Sequence, residues 1–132
     1  MKEAVKLLRD SGIQLTPQRT AVVESVLEST THPSADEVFE MARRKCPTVS
    51  RATVYNTLNL LVEKQVVRAQ ILREGTVVFD TNMKKHHHFI DDETGTIHDI
   101  PWESLEVRGE QRLDGFDVRE YQVILRGRKK RT

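Results

Sequence analysis

The chain has 132 residues, of which 37% are hydrophobic and 31% charged, with 21 Lys and Arg against 20 Asp and Glu. That suits one ordinary domain or two very small ones and excludes a disordered tail. The net charge of only +1 excludes a uniformly basic nucleic-acid binder but leaves room for a local basic face. Apolar runs are too short to cross a membrane, and the charged stretch from Met1 to Asp10 lacks the apolar core of a secretion signal. The lone cysteine, Cys46, can form neither an internal disulfide nor a Cys-rich zinc site, so a reducing, cytoplasmic location is expected.

The first half reads as four helices. Glu3 to Asp10 is a short amphipathic segment, with Val5 and Leu8 on its apolar face, stopped by Ser11-Gly12. Thr16-Pro17 supplies an N-cap and a preorganised first helical position, after which Val22, Val23, Val26 and Leu27 recur at helical spacing. Ser34 caps a third helix with the apolar stripe Ala35, Val38, Phe39 and Ala42, ended by Cys46-Pro47. Ser50 caps a fourth, running to about Lys64. Val54, Leu58, Leu61 and Val62 lie on one face of it, and Ala52, Tyr55, Asn56 and Asn59 on the other. Two β-rich stretches, Val66 to Leu72 and Thr76 to Asp80, flank the turn signal Arg73-Glu74-Gly75. Helices followed by a hairpin in this order predict a winged helix-turn-helix over residues 1–80.

Residues 81–85 read as a linker. The remainder, 86–132, is expected to hold strands at His86 to Asp91, Thr96 to Ile100 and Asp117 to Leu125, with a short helix between Trp102 and Arg112. A unit this small buries too little surface to stand alone and is expected to dimerise. The fold class expected is α+β: an N-terminal winged helix-turn-helix domain plus a small C-terminal α/β dimerisation domain.

Two groups of residues can carry chemistry. The outer face of the fourth helix offers aromatic, amide and methyl groups with almost no acid. Ala52 and Tyr55 can touch thymine methyls, and Asn56 and Asn59 can pair with adenine. Arg19 and Arg51 stand near helix N-termini, where phosphate contacts fall. The bland alternative is an ordinary solvated helix face. The second group is His86-His87-His88. On a strand, His86 and His88 share one face and His87 takes the other. A purification tag is disfavoured by the internal position, and the remaining alternative is an exposed polar strand. Asp80, Asp99 and His32 are the partners that convert the pair into a candidate metal site. Imidazoles and carboxylates without thiolate suit Fe²⁺, Mn²⁺ or Zn²⁺, and five such ligands do not match four-coordinate structural zinc.

LTPQR at 15–19, THPSADEVF at 31–39, SRATVYNTLNLL at 50–61, FDTN at 79–82, HHH at 86–88 and TGTIHDI at 94–100 together resemble the ferric uptake regulator (Fur) family over nearly the whole chain. The resemblance implies a homodimeric, metal-dependent transcription regulator, mainly a repressor, that binds a double-stranded DNA operator. It implies a regulatory site of His32, Asp80, His86, His88 and Asp99 for Fe²⁺ or Mn²⁺, with Zn²⁺ able to occupy it in purified protein. Asp at the last ligand is similar to the peroxide-responsive (PerR) branch, in which iron at this site leads to oxidation of a ligand histidine. The triple histidine, the missing Cys pairs (Asp91 and Thr94 stand in place of the first) and the basic tail also resemble the iron response regulators (Irr), which are linked to haem. The structural zinc that other members hold with four cysteines is therefore not expected. A further family metal site would use His87 and Glu106, with Tyr121 in place of its last ligand. Gln14 and Asn56 stand where many members carry a basic residue, which points to a different operator.

An enzyme is the rival class, because two histidines and a carboxylate also form the facial triad of non-haem iron oxygenases. Those sit in large β scaffolds with a substrate pocket, for which this chain has no room. A DNA-binding module with no metal control is the third reading.

Overall fold

The computed structural model describes residues 2–29, 32–73 and 75–131. The chain divides into two compact units, Met1–Met83 and Lys84–Thr132.

The first unit holds four helices, α1 (Lys2–Asp10), α2 (Pro17–Glu28), α3 (Ala35–Lys45) and α4 (Arg51–Glu63), followed by the hairpin of β1 (Arg68–Arg73) and β2 (Thr76–Asp80). Each helix from α2 onward begins where a hydroxyl satisfies a backbone N–H left without an intrahelical partner. Thr16 accepts from the Arg19 N–H, and Ser50 from that of Thr53. Ser34 and Glu37 exchange both bonds of a capping box. The helical stripes converge on one core in which Leu8, Val22, Val23, Val26, Val38, Ala42, Val54, Leu58 and Leu61 are buried. On α1 it is Ala4 with Leu8 that is buried, and Val5 sits at the margin. The hairpin is antiparallel, with Arg68 opposite Asp80 and Ile71 opposite Val77, and it carries a register shift between Ile71 and Arg73. Of the expected turn residues, Glu74 lies outside the described residues, and Gly75 takes the positive φ of 68° that such a turn requires. Among the described residues no helix is long and apolar enough to cross a membrane.

The second unit is a three-stranded sheet in the order β4–β3–β5, from β3 (His86–Asp91), β4 (Ile97–Pro101) and β5 (Ile124–Gly127). β3 runs antiparallel to β4 and parallel to β5. Two expectations fail here. The helix expected between Trp102 and Arg112 is replaced by single 3-10 turns at Trp102–Ser104 and Glu110–Arg112. Leu105-Glu106-Val107-Arg108 has no helical stripe, and Gly109 at φ 91° breaks any continuation. The strand expected from Asp117 to Leu125 is confined to Ile124–Gly127, paired with His88 to Asp91, and β3 begins too late in the parallel register to reach Asp117.

The turn after β3 is organised by Asp91. Its carboxylate accepts from the backbone N–H groups of Glu93 and Thr94 at 2.8 and 3.2 Å. Its carbonyl accepts from Gly95, and the N–H of Asp92 donates to Gly127 on β5.

Candidate metal centre and nucleic-acid interface

In the first unit, the segment joining α2 to α3 is laid along β2. The Phe79 N–H donates to the Pro33 carbonyl at 2.9 Å, and Ser34 bridges Val78. This docking sets His32 beside Asp80, with Nε2 and Oδ2 3.2 Å apart and both side chains buried. His32 adopts a left-handed φ of 53°, a conformation uncommon outside glycine and the few residue types, His among them, that tolerate it. The other carboxylate oxygen of Asp80 accepts from the Asn82 N–H at 2.8 Å, which fixes its orientation.

In the second unit, the register of β3 against β4 places Asp99 directly opposite His88. Period-two alternation turns His86 to the same face. The two imidazoles meet edge to face with centroids 4.5 Å apart. Their Nε2 atoms lie 3.6 Å and 3.9 Å from Asp99 Oδ1. One ligand atom from each of the three residues falls within 4.8 Å of the others. Both tautomers are set from behind. His86 Nδ1 donates to the Lys84 carbonyl at 2.6 Å, and His88 Nδ1 donates to Gln122 Oε1 at 3.0 Å. In the neutral imidazole a proton on Nδ1 leaves the Nε2 lone pair facing Asp99. The exposed-strand alternative does not hold, since all three histidines are buried. Gln122 escaped the sequence reading because it lies 34 residues from His88 and only the parallel pairing of β5 brings it near.

His87 takes the opposite face and the opposite role. Its ring stacks on Trp102 at 4.5 Å and 16°, with Tyr121 beyond, and its Nδ1 accepts from the Val123 N–H at 2.9 Å. An accepting Nδ1 leaves the ring proton of the neutral imidazole on Nε2, the reverse of its neighbours. Glu106 is exposed and paired with Arg108. No group of three or more candidate ligands among the described residues includes His87 or Glu106. His98, half-buried, tilts against Phe89.

On α4, Ala52, Tyr55, Asn56 and Asn59 are all exposed on one side while Val54, Thr57, Leu58 and Leu61 are buried on the other. Tyr55 remains 48% exposed, a large aromatic presented to solvent. Arg51 starts the helix and reaches back to Asp36, and Arg19 Nη1 donates to the Gln14 carbonyl. Cys46 is half-buried at the end of α3, 3.3 Å from the Thr48 hydroxyl.

The ferric uptake regulator family model matches residues 10–126. The peroxide-responsive repressor PerR of Staphylococcus aureus is 32% identical over 129 residues, which cover 96% of this chain and 87% of that protein. Among solved structures, a zinc-bound manganese uptake regulator superposes with a TM-score of 0.77 at 25% identity, covering 96% of this chain and 98% of that one. The Pseudomonas aeruginosa ferric uptake regulator with manganese superposes with a TM-score of 0.70 at 23% identity, covering 97% and 98%, a likeness of fold. With a match over most of its length and relatives of the same kind in sequence and in structure, the chain belongs to the ferric uptake regulator family.

Proposed function

We propose that this Fur-family protein is a homodimeric transcription regulator whose DNA affinity is set by one metal ion held by His32, Asp80, His86, His88 and Asp99, and that its ferrous form senses peroxide. The observation that carries the reading is the convergence of ligand atoms in the second unit. Buried His86 and His88 both turn Nε2 toward the Asp99 carboxylate and are held from behind at Nδ1, a donor set of the kind that a divalent cation takes. The His32–Asp80 pair in the first unit, buried and oriented by Asn82, supplies a donor set of the same kind. Three imidazoles and two carboxylates fit Fe²⁺ or Mn²⁺, and accommodate Zn²⁺ in purified protein. Asp80 and His86 are close in the chain, so a shared ion ties the first unit to the second and selects one arrangement of the chain for DNA.

α4 is the element that reads DNA, through Ala52, Tyr55, Asn56 and Asn59 on base edges, with Arg19 and Arg51 on phosphate. Two such helices in a dimer require a two-fold symmetric operator. The apolar side chains of Leu113, Phe116 and Val118, exposed in a segment without regular structure, are the surface on which the second copy docks.

The chemistry that ferrous iron supplies when bound, and manganese does not, is the reduction of peroxide with transfer of an oxygen to a ligand imidazole. The protein's part is to hold His32 and His86 against the ion and to offer no thiolate that would be oxidised instead. Support comes from Asp at the fifth position and from the PerR relatives. The alternative signal, favoured by three successive histidines in a chain with one cysteine, is haem. Treating the Fe²⁺ and Mn²⁺ forms with peroxide and analysing peptides by mass spectrometry separates them. A gain of one oxygen on His32 or His86 in the iron form alone, with release from DNA, is the expected result. Unmodified histidines together with release by haem would overturn peroxide sensing.

A further inference from the structure

Phe39, half-buried on α3, carries the guanidinium of Arg51 4.5 Å from its ring centroid, with that of Arg43 5.8 Å away. Arg51 is the first residue of α4, so its side chain is turned back across the corner between the two helices. There its Nη1 donates to Asp36 Oδ1 at 2.7 Å. Arg43 is held separately along α3 by Glu40, at 2.8 Å. Arg51 is therefore fixed twice, by an aromatic face and by a carboxylate. The two restraints differ in kind. Arg51 and Asp36 are 59% and 73% exposed, so their ion pair is solvated and readily exchanged. The ring belongs to a side chain packed against the core. A guanidinium fork binds phosphate oxygens with the geometry it uses for a carboxylate.

We propose that Asp36 occupies the place of a DNA phosphate in the free protein, and that Phe39 is a positioning residue that keeps the Arg51 guanidinium aimed when phosphate displaces the carboxylate. This rests on the reading of α4 as the DNA-reading helix. Asp36 then tunes affinity without touching sequence preference, because phosphates carry no base information.

The experiment measures anisotropy of two labelled duplexes with the Mn²⁺-loaded full chain over a range of salt. One duplex is selected by the protein from a randomised pool, the other has random sequence. Asp36→Asn should tighten binding to both by about two- to five-fold. Arg51→Ala should weaken both and flatten the slope of log affinity against log salt by about 0.9. The gain from Asp36→Asn should vanish when Arg51 is already alanine. Phe39→Leu should reproduce the loss seen with Arg51→Ala, and Phe39→Tyr should restore the affinity and the salt slope, which a purely packing role of the ring would not require. No gain from Asp36→Asn, or a gain that persists without Arg51, overturns the proposal. If Tyr55→Ala still removes preference for the selected duplex in that case, the reading of α4 stands and only this inference fails. If the loaded wild type prefers neither duplex and binds neither, both fall.

Discussion

Asp91 ties down the turn after β3 through its carboxylate. Its side chain is buried, which alone would raise the carboxyl, but N–H groups of Glu93, Thr94 and Lys129 and the Thr94 hydroxyl all stabilise the anion and hold it below its ordinary value of 3.8. A depressed carboxyl stabilises the fold above the unfolded value and loses that contribution as pH falls through the folded one. Asp91→Ala should therefore lower the thermal midpoint of the protein at neutral pH. The gap from wild type should narrow as the buffer is taken below 3.8. A gap independent of pH would remove the anion from the account. On α4, Tyr55→Ala should cost about 1–3 kcal/mol on the selected duplex and little on a random one. Equal losses on the two would show that Tyr55 does not read bases.

At the scale of the elements, the first unit follows from its caps. Ser34→Ala removes one bond of the capping box and should cost about 1 kcal/mol by denaturant unfolding. Leu58→Ala, at a fully buried position on α4, should cost about 2–5 kcal/mol and loosen that helix with it. A hydroxyl cap and a 3.6-residue stripe are local signals, and this is why Thr16, Ser34 and Ser50 marked the three helices correctly. The second unit was less legible because its order is set by pairing across the chain. Nothing near Asp117 reveals that β3 begins only at His86, so the start of β5 is not legible in the sequence around it. Alternation did put His86 and His88 on one face and His87 on the other. It could not show that Gln122 and the Lys84 carbonyl choose their tautomers, or that His87 is stacked against Trp102. The corner of Arg51, Asp36 and Phe39 is hidden for a related reason: the sequence shows only that Arg51 stands near a helix N-terminus, and its retention by α3 needs the two helices to be packed first.

At the scale of the whole molecule, the proposed dimer is open to test at its exposed apolar segment. Phe116, 76% exposed, contributes little to the fold of a single chain. Phe116→Glu should shift the protein from dimer to monomer in sedimentation at micromolar concentration while leaving its helical content unchanged, and an unaltered dimer would place the second copy elsewhere. The central claim is that metal binding and DNA binding are coupled, with a typical coupling worth about five- to 150-fold in affinity. Its most direct test is a Mn²⁺ titration of chelator-treated protein in the presence of the selected, labelled duplex, run on the wild type and on His86→Ala, with circular dichroism to establish that both are folded. DNA affinity of the wild type should rise with added Mn²⁺ within that range, and His86→Ala should stay at the metal-free level. A chelator-treated wild type that binds the duplex as tightly as the loaded one would contradict the coupling.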